Sequence, residues 1–326
     1  MSNNLVEIKD LFVEYQTDTD TVQALNGIDL TIHRGESLGL VGETGAGKTT
    51  LALSILQLLP NRVGKVVRGS IHYDGMDVLK ANKRQLLEMR GAKVSMIFQD
   101  PMTALNPILT VGEQIREVLE LHYPDKPKAE QEQRVDEIME MVGIPKQRKV
   151  EFPHQFSGGM KQRIGIAMAL VAQPELLLAD EPTTALDVTI QAQILVLMKQ
   201  LKERLNSAMV LITHDLGVVA EFCENVAIIY SGEIIEHGTV EDVFSRVKNH
   251  PYTVGLFNSI PDLTSNASRL TPIPGSMADP TNLPKGCKFA ERCPHATERC
   301  RKEVPPLYVE GTHSIKCFRF EKREGE

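Results

Sequence analysis

The sequence contains no tryptophan, and aromatic residues make up only 5% of its 326 positions. A base-stacking platform for single-stranded nucleic acid has little to build on. Positive charge is not in excess either: 36 Lys and Arg stand against 43 Asp and Glu, a formal charge of −7. That balance argues against a nucleic-acid partner unless a local basic face exists. No apolar run approaches the roughly 18 to 20 residues of a membrane span. The opening stretch MSNNLVEIKDLFVEY alternates acidic and apolar residues and lacks a secretory apolar segment. The expectation is a cytosolic chain that is free to dock on a membrane protein. Cysteine is scarce until the end, where Cys287, Cys293, Cys300 and Cys317 follow a lone Cys223. In a cytosolic chain such clustering points to metal before disulfides.

What is present suffices for one large or two ordinary domains, with 42% hydrophobic and 24% charged residues. VEIKDLFVEY and ALNGIDLTIH alternate apolar and polar residues and read as antiparallel strands. ESLGLVG is a short apolar run ending in glycine, a buried strand feeding a turn, and KTTLALSILQLL then reads as a helix. From about Leu105 to Phe156 the pattern is helical, with Val135, Ile138, Met139 and Val142 on one apolar face. Strand patterns return in ELLLAD (175–180) and AMVLITHD (208–215) around another helix, an alternation that implies a parallel sheet. After about Phe244, prolines 261, 272, 274, 280 and 284 punctuate a segment with little periodicity. A boundary is expected near 245, followed by a small appended module. No internal repeat is visible.

The stretch LVGETGAGKTTL carries the first chemistry. Gly42, Gly47, Lys48 and Thr49 fit G-x-x-x-x-G-K-[ST] without mismatch. Such glycines let successive backbone N–H groups converge on one concavity that suits phosphate oxygens. The expected nucleotide contacts run through Gly42, Glu43, Thr44, Gly45, Ala46, Gly47, Lys48, Thr49 and Thr50. The positive end of the following helix adds to them. Lys48 would reach the β- and γ-phosphates, and Thr49 would place its hydroxyl on Mg²⁺. LLLADE (176–181) is an apolar strand ending in two carboxylates. Asp180 can hold the metal's water shell and Glu181 can polarise an attacking water; by itself such a pair also reads as a solvated strand end. In FSGGMKQR (156–163), Ser157 can cap a helix that starts at the glycines, a second anion-receptive helix terminus.

In this order and spacing the set resembles the ATP-binding cassette (ABC) family over residues 5 to about 245. The resemblance rests on the phosphate loop, Gln99 in MIFQDP, the FSGGM signature, LLLADEP, TALD at 184–187 and His214 in LITHD. It implies an α/β P-loop cassette with a RecA-like core, an antiparallel β-subdomain and an α-helical subdomain at about 105–157. It also implies head-to-tail pairing, each ATP lying between one chain's phosphate loop and the other's signature. Ser157 and Gly159 would then serve the partner's ATP. Glu181 would be the general base, and His214 would contact the γ-phosphate. Gln99 would reach Mg²⁺ and sense the transporter, and Asp187 would communicate across the dimer. Tyr15 would stack on adenine, although it also reads as an ordinary strand tyrosine. Phe156 and Met160 depart from the family's usual Leu and Gln, while the Ser157–Gly158–Gly159 core is intact.

A soluble cassette protein acting on DNA or ribosomes usually has two cassettes in one chain or a long coiled coil, and neither feature is present. The expectation is the energising subunit of a bacterial importer. HPYTVGLFNSIPDL (250–263), the segment 272–300 and HSIKCF (313–318) look like the carboxyl-terminal extension of oligopeptide/dipeptide importer ATPases. That resemblance implies residues 1–245 as the nucleotide-binding domain and 246–326 as the extension. It implies a second, nonidentical ATPase subunit, two transmembrane permease subunits and an extracytoplasmic peptide-binding protein, with the chain peripheral on the cytoplasmic membrane face. Relatives in the subfamily import nickel, glutathione or other small solutes. The cysteines follow C-x₅-C-x₆-C-x₁₆-C, and four thiolates suit structural zinc or an iron–sulfur cluster. The close C-x₂₋₄-C knuckles common in zinc sites are missing, and the resemblance favours a [4Fe–4S] cluster. His295 and His313 read as bystanders.

Overall fold

The structure is a computed structural model that describes residues 3–100, 104–183, 186–259 and 272–321. Thr184 and Ala185 of the TALD motif, and Pro261 within the proline-punctuated stretch, lie outside the described residues. The strands are β1 (Asn4–Gln16), β2 (Thr21–His33), β3 (Ser37–Val41), β4 (Gly64–Tyr73), β5 (Met76–Asp77), β6 (Val94–Ile97), β7 (Leu176–Asp180), β8 (Ala208–Thr213), β9 (Asn225–Tyr230), β10 (Glu233–Thr239), β11 (Tyr308–Glu310) and β12 (His313–Ile315). The α-helices are α1 (Lys48–Ile55), α2 (Lys83–Met89), α3 (Val111–His122), α4 (Lys128–Met141), α5 (Gly158–Leu170), α6 (Val188–Leu205), α7 (Leu216–Phe222), α8 (Val240–Phe244), α9 (Pro251–Asn258) and α10 (Glu298–Lys302). The chain divides into two compact units.

The first unit takes in Ile32–Ser37 and Lys80–Ile212 with the first residues of the chain. Its strands β6, β7 and β8 are parallel neighbours, with Val94 opposite Leu176 and Leu176 opposite Ala208. Every residue of β7 and β8 is buried. This is why they read as unbroken apolar runs rather than alternations: a parallel strand is covered on both faces. The helical stretch expected from about 105 becomes α3 and α4. A reciprocal Thr110–Glu113 capping box starts α3, and Val135, Ile138, Met139 and Val142 are each no more than 1% exposed. Lys149 bonds Glu132 at 2.9 Å and Asp136 at 2.6 Å, tying the turn after α4 back to it.

The second unit is Val6–Thr31, Leu38–Leu79 and Thr213–Glu326. One of its sheets runs β2-β1-β4-β5, with β1 antiparallel to β4. In the other, fully buried β3 lies parallel to β9, and β10 is antiparallel to β9. The tail then continues this sheet. Strand β12 pairs with β10 through Glu236–Ile315 and His237–Ser314, and β11 pairs with β12. Two three-residue strands are too short to display a period of two, so the sequence read there as aperiodic. Residues beyond 245 belong to the same compact unit as the phosphate-loop strand. Tyr252, Phe257 and Phe289 share one buried cluster with Val41, Val226 and Ile228.

Glu236 pins this arrangement. Its fully buried carboxylate accepts from Asn249 Nδ2 at 2.7 Å, the His250 N–H at 2.8 Å and Thr253 Oγ1 at 2.6 Å, and meets His313 Nε2 at 2.8 Å. A buried carboxylate is tolerable only with such a full set of partners. His313 thus ties β12 to Glu236. Among the described residues no helix is long and apolar enough to cross a membrane.

Candidate functional site

In the second unit, β3 ends at Val41 and the chain turns through Gly42–Gly47 into α1. A Cβ on Gly42 would lie 2.3 Å from the Ile229 carbonyl oxygen, so no other residue fits. Gly47, at φ 105, occupies the N-cap position of α1 in the left-handed region that favours glycine. No side chain caps α1, and a helix N-terminus of this kind suits an anion. The Lys48 ammonium curls back to the carbonyl oxygens of Gly42 at 2.8 Å and Glu43 at 3.1 Å. Lys48 is 6% exposed, whereas Thr44, Gly45 and Thr49 lie open to solvent. The Tyr15 hydroxyl is 3.1 Å from Thr50 Oγ1, which sets the expected adenine-stacking residue beside the first turn of α1. His214 follows β8 directly and is exposed.

The first unit brings together a different set. Asp180 closes β7 and is 3% exposed. Glu181 follows at φ 43, unusual for a residue with a side chain, its N–H bonded to the Ile212 carbonyl at 2.9 Å. Strain of this kind concentrates at functional positions. Gln99 Nε2 donates to Glu181 Oε2 at 3.0 Å, so two residues 82 positions apart meet. Ser157 sits at the N-cap of α5 with extended backbone angles, but its side chain makes no capping bond. The expected cap is therefore absent, and Ser157 is exposed. Asp187 caps α6, accepting from the Ile190 N–H at 3.0 Å.

A phosphate-loop terminus, an acidic strand end and an exposed second helix terminus are the parts of a nucleotide-driven machine, and comparison with known proteins decides which. The "ABC transporter" family model matches residues 25–184, and the model for the "oligopeptide/dipeptide transporter, C-terminal region" matches residues 235–300. The chain is 44% identical to the oligopeptide transport ATP-binding protein AppD of Bacillus subtilis, over 99% of each. It is 46% identical to the OppD protein of Salmonella typhimurium, covering 98% of this chain and 94% of that one. The chain belongs to the ABC transporter family. A solved ATP-binding cassette dimer bound to ADP and Pi superimposes with a TM-score of 0.64 at 29% identity, covering 72% of this chain and 98% of that one. The cbiO1 protein of Clostridium perfringens gives 0.65 at 28%, covering 75% and 92%.

Several residues of this ABC chain touch the phosphate loop without having been legible as site residues. Arg292 grips the Glu43 carboxylate with both nitrogens of its fork, at 2.7 and 3.1 Å. The Glu43 N–H donates to the Tyr252 hydroxyl at 3.0 Å. Burial and the nearby Glu43 charge push the Tyr252 pKa well up, so this hydroxyl stays protonated. Met277 Cε lies 3.1 Å from where a Cβ on Gly45 would stand. Nothing in the spacing of FAERC points to a loop 249 positions away.

The four tail cysteines are free of disulfides. Among the described residues no three His, Cys, Asp or Glu side chains are gathered closely enough to hold a metal ion. The thiols nevertheless feel one another. Burial first, then the neighbouring cysteines, push Cys287 up to about 12, and Cys293 and Cys317 are raised for the same reasons. Cys287, Cys293 and Cys317 each accept a backbone N–H from two residues on, namely Phe289, His295 and Arg319. The Thr297 hydroxyl lies 3.3 Å from Cys300 Sγ.

Proposed function

We propose that this chain is the ATP-hydrolysing subunit that energises peptide import by a bacterial ABC transporter. The observation that carries the reading is likeness along the whole length, tail included, to oligopeptide transport ATP-binding proteins. Lys48 and the loop amides bind the β- and γ-phosphates. Thr49 and Gln99 hold Mg²⁺, with Asp180 on its water shell, and Tyr15 stacks on adenine. Glu181 takes the proton of the attacking water while His214 contacts the γ-phosphate. The Gln99–Glu181 bond supports this division of labour, because a metal-side amide and a base carboxylate must sit close together. Ser157 and Gly159 serve the ATP of a second, nonidentical ATPase subunit. Two permease subunits and an extracytoplasmic peptide-binding protein complete the assembly, and the chain is peripheral on the cytoplasmic membrane face. Residues 1–245 act as the cassette and 246–326 as the extension.

The test is turnover by the assembled transporter in vesicles containing the binding protein. Peptide-loaded binding protein should stimulate ATP hydrolysis and peptide uptake together. Stimulation by nickel- or glutathione-loaded protein, with none from peptide, would replace the substrate while leaving the ATPase.

We propose as well that the four tail thiols take a [4Fe–4S] cluster, with zinc as the competing occupant, a reading that rests on their number and spacing in the sequence. Cys287, Cys293, Cys300 and Cys317 would hold the group, which would supply cross-linking stability or redox sensing rather than hydrolysis. Protein purified without oxygen should contain iron and acid-labile sulfide. Stoichiometric zinc without either would leave a zinc staple.

A further inference from the structure

The phosphate loop carries its own negative charge. Glu43 lies between Gly42 and the exposed Thr44, at the lip of a cradle that must accept a polyanion. A carboxylate there opposes ATP unless something neutralises it. Arg292 does so from the far end of the chain. Its guanidinium is fixed on several sides: Nε donates to the Pro274 carbonyl at 3.0 Å, and Nη2 reaches the Ile273 carbonyl at 3.4 Å. Nη1 contacts the Tyr230 hydroxyl at 3.4 Å. The rings of Tyr230 and Phe289 stand 5.8 and 6.0 Å from the guanidinium carbon. The Arg292 side chain is 6% exposed and that of Glu43 is 35% exposed. The cation is thus built into the tail's core, and the carboxylate comes to it. Bidentate pairing also fixes the direction of the carboxylate, which a point charge would not.

Tail residues bracket the loop on other sides as well. Tyr252 takes the Glu43 N–H, and Met277 lies against Gly45. Tyr230, Tyr252 and Phe289 pack with ring centres 4.7 to 5.5 Å apart, joining β9, α9 and the cysteine segment directly behind the loop.

We propose that Arg292 is a positioning residue of the nucleotide site, which neutralises and holds Glu43 so that the carboxyl-terminal extension sets the affinity of the phosphate loop for ATP. The extension therefore acts on the ATP held by its own chain. The proposal does not depend on what the four thiols hold.

The test is Mg·ATP affinity of the full chain by equilibrium titration, with circular dichroism and thermal melts confirming the fold. Arg292→Ala should weaken binding roughly tenfold, the scale of one uncompensated charge near a polyanion at a partly exposed site. Adding Glu43→Gln to Arg292→Ala should recover most of that loss, because it removes the charge that Arg292 had offset. A purely structural arginine would show no such recovery. Glu43→Gln alone leaves Arg292 unopposed and should tighten binding about two- to threefold, more at low salt than at high. Turnover at saturating ATP should change much less than KM. The proposal is overturned by an Arg292→Ala affinity equal to wild type, or by a loss that Glu43→Gln does not relieve. If Arg292→Ala fails to fold, Glu43→Gln alone decides: unchanged or weaker binding contradicts the proposal.

Discussion

The two helix termini proposed to receive phosphate, at α1 and α5, differ in almost every respect except their glycines. The first, at α1, is built inward. Gly42 and Gly47 press against neighbouring backbone, Lys48 is buried, and Arg292, Tyr252 and Met277 brace the loop. The second, at α5, is built outward. Ser157 and Gly158 are exposed, and Ser157 leaves its hydroxyl off the helix. Under the proposed function, the inward terminus serves the nucleotide of this chain and the outward one the nucleotide of a partner.

The sharpest way to break the comparison is at the chemistry. Glu181→Gln should keep ATP binding but cut turnover roughly 10²-fold or more, the usual scale of losing a general base. Lys48→Ala should instead weaken nucleotide binding itself. The partner's site must be silenced in parallel, since an intact second site masks the loss. Near-normal hydrolysis by the assembled Glu181→Gln transporter would move the base elsewhere.

A smaller effect sharpens the inward side. His250 is fully buried at the N-cap of α9, its Nδ1 accepting from the Tyr252 N–H at 3.1 Å. Burial lowers its pKa to about 3. Unfolded, the ring binds a proton below about pH 6.5. Between those values the unfolded state carries more protons, so stability falls as pH falls, by about 1.4 kcal/mol per pH unit from this group. Above about pH 6.5 the contribution is complete and flat. His250→Asn keeps a capping acceptor and should flatten the slope between pH 6.5 and 5 in denaturant titrations. An unchanged slope would place the responsible proton elsewhere.

The nucleotide motifs were legible because their chemistry is written in consecutive residues. GETGAGKT specifies a turn that only glycines can make, and LLLADE ends a strand whose burial removes any alternation. Gln99 and Glu181 were legible as separate members of a family pattern, and the structure supplied their meeting at 3.0 Å. The tail was legible as a family extension and in its cysteines, but not in its strands or its core. Its strands are three residues long, its core is borrowed from β3 and β9, and its arginine acts on a loop 249 positions away. Ser157 shows the limit of a local rule. Its type and place suit a helix cap, yet its hydroxyl makes no capping bond.

The central claim is that the two termini serve two different ATP molecules, and Ser157→Asp tests it most directly. Aspartate is as good an N-cap as serine, so α5 itself should hold. The new carboxylate would stand where a partner's phosphate must sit. The account predicts an affinity of the isolated chain for Mg·ATP that matches wild type to about twofold, the scatter expected between independent sites. It also predicts that ATP-driven association with the partner ATPase is lost. Intact association together with weakened binding of the chain's own nucleotide would contradict it.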